Sequence, residues 1–331
     1  MIRFMLSWLF IAVCVFALPA LASEEHSKQA EFEQYKILLK NEAIDAGFAS
    51  QFVDEMLASV YYRATVVKAD KNQPEKKVTL DTYLETRVPD WKVEQAITLF
   101  EEHRELLTKI GREYGVQPRF IVALWGNESN FGRLQGSYPV LSALASLAFE
   151  GRRETLFKAQ FMAALTILQE GHIAPEEFNG SWAGAMGQSQ FMPTSFLQYA
   201  VDYNSDGRKD IWGTPADVFA SIANFLSSEG WQGDATWGRQ VKIPIGFNDE
   251  LSGLDKSKFK PLSFWQAQGV RRFNGTDLPK VAMNASLIMP DGNTGRIYLV
   301  YQNFHTLMKW NRSSYFGVSV CYLSERIKRG Q

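Results

Sequence analysis

Glu128 sits in "GNESNFG" at 126–132, where the apolar run "FIVALW" at 120–125 ends. A carboxyl set against the end of an apolar helix loses hydration. Desolvation disfavours its charged form, so its pKa climbs and it can keep a proton near neutral pH. A neutral carboxylic acid can protonate a leaving oxygen, and glycoside cleavage is the reaction that most often uses such a group. The plainer reading is a solvated glutamate at a helix end. Phe131 and Gly132 tilt the balance, because an apolar wall and a turn follow the acid at once.

Two further stretches hold candidate chemistry. "NGSWAGAMGQSQFMPTSF" at 179–196 crowds glycine and alanine together, with Ser181, Gln188 and Gln190 as hydrogen-bonding groups. Small residues there mean backbone packed closely on something, either a neighbouring helix or a flat ligand. "DYNSDGRKDIW" at 202–212 puts Asp202, Asn204, Asp206 and Asp210 at positions 1, 3, 5 and 9 of an EF-hand-like loop, with Gly207 at position 6. Position 12 is Gly213, so the usual bidentate glutamate is missing. Calcium and a plain Asx-rich turn both fit this pattern. There is no glycine-rich phosphate loop and no GxSxG elbow, and His26, His103, His172 and His305 have no metal-ligand spacing. Nucleotide, serine-hydrolase and zinc-protease chemistry are disfavoured.

The elements around these stretches read mostly as helix. Residues 92–114 carry Val93, Ile97, Phe100, Leu107, Ile110 and Tyr114 on one stripe, closed by Gly115. Pro118 opens the next helix in its first turn, and that helix ends near Glu128. A helix over 151–170 turns Leu156, Phe157, Phe161, Leu165 and Leu168 inward and stops at Gly171. Thr214 and Asp217 form a capping box for a helix with the stripe Val218, Ile222, Phe225 and Leu226. The stretch 23–75 holds two amphipathic helices and then the lysine-rich polar link "KADKNQPEKK". "RQVKIPIGF", "ASLIMP" and "RIYLVY" read as short strands, the last two joined by "DGNTG", and helical spacing returns from about 302. The fold class is mainly α, with a small β insertion at 236–300 and a C-terminal helix that packs back on the core.

The bulk numbers limit the partners. The chain of 331 residues is 46% hydrophobic and 21% charged with a formal net charge of −1. That gives no electrostatic case for nucleic acid or an anionic membrane. Residues 1–22 have the form of a secretory signal peptide: Arg3, an apolar run over 6–18, and Ala20-Leu21-Ala22 as a small-x-small cleavage site. Val13 before Cys14 is wrong for a lipid anchor. Cleavage after Ala22 removes Arg3 and no acid, leaving 34 basic against 36 acidic residues and Cys321 as the one thiol. No intrachain disulfide can then form. The mature chain is expected in the periplasm, as a monomer with no membrane-spanning segment.

Taken together, "WGNESNFG", "GSWAGAMGQSQFMPTSFLQYAVDYNSDGRKDIW" and "QNF…WNRSSY" resemble the lytic murein transglycosylase B family, glycoside hydrolase family 103, over roughly residues 30–325. The resemblance implies a lysozyme-like helical core with a flanking α subdomain and a small β insertion. It divides the chain into a helical subdomain at 23–91, the catalytic core at 92–235 with its loop at 202–217, the β-containing subdomain at 236–300, and a returning helix at 301–331. It implies cleavage of peptidoglycan glycan strands between N-acetylmuramic acid and N-acetylglucosamine, with 1,6-anhydro ends and Glu128 as single acid and base. Tyr83, Ser181, Gln190, Phe191, Phe225, Trp310, Asn311 and Tyr315 are the substrate-binding positions it implies. A structural calcium ion would be held by Asp202, Asn204, Asp206, Arg208 through its carbonyl, and Asp217; the chemistry needs no cofactor. Trp310, Phe316 and Phe225 stand where some relatives carry tyrosine, which shifts hydroxyl work to Tyr315 or its neighbours. The rival readings are a goose-type lysozyme-like hydrolase, a silent peptidoglycan-binding protein and, last, a calcium-tuned interaction module.

Overall fold

The computed structural model describes residues 12–72 and 78–330. Residues 1–11 of the expected signal peptide, and 73–77 of the lysine-rich link, lie outside the described residues. The described chain is mainly helical and contains no helix long and apolar enough to cross a membrane. It divides into two compact units, residues 12–72 with 135–198 and residues 78–134 with 199–330.

In chain order, the first unit opens with helices α1 (Ala12–Asp45), α2 (Ser50–Ala58) and α3 (Ala64–Lys71). The second unit follows with α4 (Leu80–Arg87), α5 (Asp90–Glu102), α6 (Arg104–Tyr114) and α7 (Pro118–Ser129). The chain then returns to the first unit for strand β1 (Tyr138–Pro139), α8 (Val140–Phe149), α9 (Glu154–Gln169), β2 (Asn179–Gly180) and α10 (Pro193–Tyr199). The rest belongs to the second unit: α11 (Pro215–Ser228), β3 (Gly238–Lys242), β4 (Lys260–Pro261), α12 (Leu262–Ala267), β5 (Arg271–Arg272), β6 (Asn284–Ile288), β7 (Ile297–Val300), α13 (Gln302–Trp310) and α14 (Ser314–Arg329).

In the first unit, α8 is buried along nearly its whole length and packs on α9, α3 and α1. Its Ser142 and Ser146 hydroxyls accept the backbone N–H of Tyr61 at 3.2 Å and of Arg63 at 2.9 Å, which satisfies the link between α2 and α3. Three helices occupy the stretch expected to hold two, because Tyr61–Arg63 leaves helical geometry to meet α8. Leu156 of α9 is 47% exposed, a correction to its inward assignment, while Phe157, Phe161, Leu165 and Leu168 are buried.

The second unit is built round α7. Its apolar residues point all round the axis, which suits a helix enclosed on every side, and it is packed by α5, α6, α11 and α14. Gly115 ends α6 in the left-handed conformation and Pro118 takes the first turn of α7, as the sequence suggests. The single helix expected over 92–114 is two. It breaks at His103, whose backbone leaves helical geometry and whose ring packs edge-on against Trp125 and Phe219. The five β-strands form one antiparallel sheet in the order β4-β6-β7-β3-β5, with the expected hairpin between β6 and β7. The two-residue strands β4 and β5 are too short to show an alternation in sequence.

Phe131 folds back over α7, and Gly126 makes the room. A methyl group at residue 126 would stand 2.6 Å from the Phe131 ring. Gly126→Ala sets a helix-propensity gain of about 1 kcal/mol against an overpacking cost of about 1–3 kcal/mol. The clash wins, since Phe131 is buried and cannot swing aside. The expected result is a lowered denaturation midpoint, from a net loss of up to about 2 kcal/mol in stability; a raised midpoint contradicts this packing.

Candidate active site

α7 delivers Glu128 to its last turn, one residue before the helix ends at Ser129. The exit is strained. Asn130 and Phe131 take φ values of 51° and 60°, followed by Gly132 at 82°. Side chains other than glycine rarely adopt such angles, and each costs of order 1–3 kcal/mol. The bend is held by the Ser129 hydroxyl, which accepts the Gly132 N–H at 2.9 Å, and by the Phe131 ring, T-shaped on Trp125 at 5.4 Å. α14 fixes the helix from the other side. The Ser319 hydroxyl donates to Asn127 Oδ1 at 2.9 Å, and Arg119 pairs with Glu325 at 2.9 Å.

Glu128 opens into a cavity of about 180 Å³ whose walls include Arg87, Trp91, Lys92, Asn127 and Asn130. The residue is half-buried because one side faces this cavity, yet protein surrounds the carboxyl. Burial pushes its pKa up to about 7, against the pull of a Trp310 hydrogen bond and the Arg87 charge. The Trp310 indole N–H donates to Oε1 at 2.5 Å. Trp310 is braced in turn. Its ring lies T-shaped on Phe225 at 4.6 Å, Phe225 lies on Tyr199 at 4.6 Å, the Tyr199 hydroxyl donates to Glu229, and Glu229 pairs with Lys309 at 2.9 Å. Among the described residues lining the cavity, Glu128 is the one carboxylate.

The other expected residues fall as follows. Asn311 is exposed, next to Trp310, and its Oδ1 accepts the Ser313 N–H at 3.0 Å. Tyr83 meets Tyr315 edge-on at 5.5 Å, and the Tyr315 hydroxyl donates to Asp291. Burial, with that partner, raises the Tyr315 hydroxyl to about 12. Phe225 is buried and supports Trp310. In the first unit, the Ser181 hydroxyl accepts the Ala185 N–H at 3.0 Å, and Gln190, at φ 51°, donates to the carbonyls of Gln135 at 3.1 Å and Gly187 at 2.9 Å. Phe191 is buried beyond a backbone pairing with Met186. The crowded glycines pack on their own unit: a side chain on Gly180 would strike the Ala185 carbonyl, and one on Gly184 would strike Leu144.

Sequence reasoning missed Arg87, Trp91 and Lys92. Lys92 is buried, and burial followed by the Arg87 charge lowers its pKa to about 8. The available signal is "RVPDWK" at 87–92, a tryptophan and basic residues at a helix start; Trp91 is 53% exposed.

The 202–217 loop is cross-braced by its own carboxylates. Asp202 accepts the N–H groups of Asp206 at 3.1 Å and Gly207 at 2.8 Å, and Asp206 accepts that of Arg208 at 2.9 Å. Asp217 is fully buried and accepts Tyr203 N–H and Asp210 N–H, both at 2.8 Å. The capping box is therefore corrected: Thr214 makes no cap bond and its hydroxyl donates to Asp210, while Asp217 serves the loop. Burial raises the Asp217 pKa against the pull of backbone N–H groups from Tyr203, Asp210 and Asn204, and the Asp202 charge adds a smaller push in the same direction as burial. A cation between these two acids would relieve that repulsion. Among the described residues, however, no three His, Cys, Asp or Glu side chains converge as a metal-holding group.

Comparison with known proteins places this geometry in company. Residues 31–325 match the transglycosylase SLT domain. The chain is 31% identical to membrane-bound lytic murein transglycosylase B of Escherichia coli (strain K12), over 72% of this chain and 64% of that protein. It is similar to SltB3 from Pseudomonas aeruginosa, solved in complex with NAG-NAM-pentapeptide and with NAG-anhNAM-pentapeptide: TM-score 0.85, 40% identity, 90% of this chain and 79% of that one. The Escherichia coli lytic transglycosylase Slt35 in complex with calcium gives a TM-score of 0.77 at 27% identity, over 91% of this chain and 94% of that one.

The Trp310 donor favours the ionised form of Glu128, so removing it must raise the acid's pKa. Carbon-13 NMR of the Glu128 carboxyl should titrate near 7 in the unaltered protein and clearly higher in Trp310→Phe. An unchanged or lower value contradicts the assigned hydrogen bond.

Proposed function

The chain belongs to the transglycosylase SLT domain family, and on that premise we propose that it is a lytic transglycosylase of peptidoglycan with Glu128 as its single acid and base. The observation that carries this reading is a carboxyl with a pKa of about 7, alone among carboxylates in its cavity. At neutral pH a large share of Glu128 is protonated. It donates that proton to the oxygen between N-acetylmuramic acid and N-acetylglucosamine, and positive charge develops at the anomeric carbon. With no second acid among the described residues lining the cavity, the sugar's own 2-acetamido group is the proposed stabiliser, oriented by Asn311. Glu128, now ionised and held by the Trp310 N–H, takes the proton of the C6 hydroxyl. That oxygen closes on the anomeric carbon as a 1,6-anhydro end. An internal nucleophile has the advantage of proximity over water.

Tyr83, Tyr315, Phe225 and Trp310 are proposed to contact or support the bound glycan, as are Gln190 and Phe191 in the first unit. Residues 1–22 are proposed to export a monomeric enzyme to the periplasm. Calcium is proposed as a structural ion of the 202–217 loop, supported by the crowding of Asp202 and Asp217 and by the calcium complex of the similar Slt35. Asp202, Asn204, Asp206, Asp217 and the Arg208 carbonyl would hold it.

Two experiments test these readings. Purified sacculi treated with the protein should release fragments lighter by one water than hydrolysis products, and Glu128→Gln should lower that release by orders of magnitude while folding normally. Reducing ends alone would point to the hydrolase, and near-normal turnover of the variant would remove Glu128 from its role. Chelation should lower the melting temperature, and added calcium should restore it. A melting curve indifferent to both refutes the ion.

A further inference from the structure

The β-sheet of the second unit has an apolar face that is closed at one end and open at the other. Opposed residues in a sheet share a face, and the register sets Val241 opposite Arg272 and Arg239 opposite Leu299. Two guanidinium groups therefore stand on the same face as Leu287, Ile297 and Leu299, which form the buried core of this region with Trp265 and Leu262. The open end is a cavity of about 660 Å³, well over three times the space beside Glu128 and sharing no residue with it. Its floor is Val241, Leu278, Leu299 and Tyr301, all members of that core. Its lip carries Phe273 and Val281, which are 56% and 53% exposed.

Charge on this lining has one sign. Arg239 and Arg272 line the cavity and no carboxylate does. Arg239 is anchored, donating to the Thr236 hydroxyl and the Gly238 carbonyl, both at 2.7 Å. Glu325 feels its charge, but that carboxylate is already paired with Arg119. Arg272 is exposed and makes no ion pair among the described residues. Burial raises the pKa of the Tyr301 hydroxyl at the cavity floor and both guanidinium charges lower it, in keeping with a register that sets the two arginines on one face above the same cavity. An apolar hollow of this size with a few convergent polar groups is the usual form of a small-ligand site. Paired guanidinium groups suit a carboxylate, which they can bind through parallel N–H donors.

We infer that this cavity binds the free end of a peptidoglycan peptide stem, with the terminal aliphatic residue on the Val241–Leu299 floor and its carboxylate between Arg239 and Arg272. The inference rests on peptidoglycan being the substrate. It adds a peptide site apart from the Glu128 cavity, so stem length and trimming would tune how strongly the enzyme holds a strand.

The test is calorimetric titration of the full chain with a sugar-free pentapeptide stem ending in a free carboxylate, and with its C-terminal amide. The free acid should bind saturably, the amide about tenfold or more weakly, as loss of a charge-assisted pair requires. Arg272→Glu and Val281→Asp, both checked for folding by circular dichroism, should bind the acid at least tenfold more weakly, while Glu128→Gln binds it like the unaltered protein. No saturable binding, equal affinity for acid and amide, or full affinity in a folded Arg272→Glu overturns the site. Cleavage of peptide-free glycan strands by the unaltered protein is measured alongside: its absence with stem binding intact counts against the transglycosylase reading and leaves the pocket standing.

Discussion

Burial of one carboxyl at the end of α7 is the constraint that organises the second unit. Moving a pKa from 4.5 to about 7 corresponds to about 3 kcal/mol at 1.36 kcal/mol per unit. The sign follows from the raised value. The ionised form is disfavoured in the folded chain, so the cost is absent below about pH 4.5, where the acid is neutral folded or unfolded. It is complete above about pH 7. Such a cost is tolerable only where surrounding packing is strong, and α7 is gripped by four helices. The strained exit through Asn130 and Phe131 serves the same end. It turns the chain sharply away, so that the acid faces a cavity instead of a loop.

Trp310 works against desolvation, and that opposition suits a group proposed to act twice. A wholly apolar pocket would make Glu128 a good acid and a poor base. A full ion pair would do the reverse. One indole N–H, held in place through Phe225, Tyr199 and Glu229, stabilises the carboxylate without abolishing its proton affinity near neutrality. The indole supplies the donor and a phenyl ring supplies the support.

Much of this was legible in the sequence because it depends on local rules. Gly115 and Pro118 mark the α6–α7 junction, the apolar run marks a buried helix, and "GNESNFG" marks an acid at its end. What was hidden depends on contacts across the chain. The break at His103 exists because its ring packs on Trp125 and Phe219, and no periodicity in 92–114 announces it. Asp217 reads as a cap by its spacing from Thr214, yet two loop N–H groups claim its oxygens. Arg87 and Lys92 reach the acid's cavity from helices that look solvated. The sequence at 238–301 showed strands but could not show that two arginines share their apolar side, since that follows from register alone.

The pH dependence of kcat/KM for strand cleavage tests the central claim most directly, because it reports the protonation state of the free enzyme's acid. The account expects activity to fall on the alkaline side with an apparent pKa near 7. A profile that stays flat from pH 6 to pH 9 would mean that no neutral carboxylic acid at Glu128 drives the reaction.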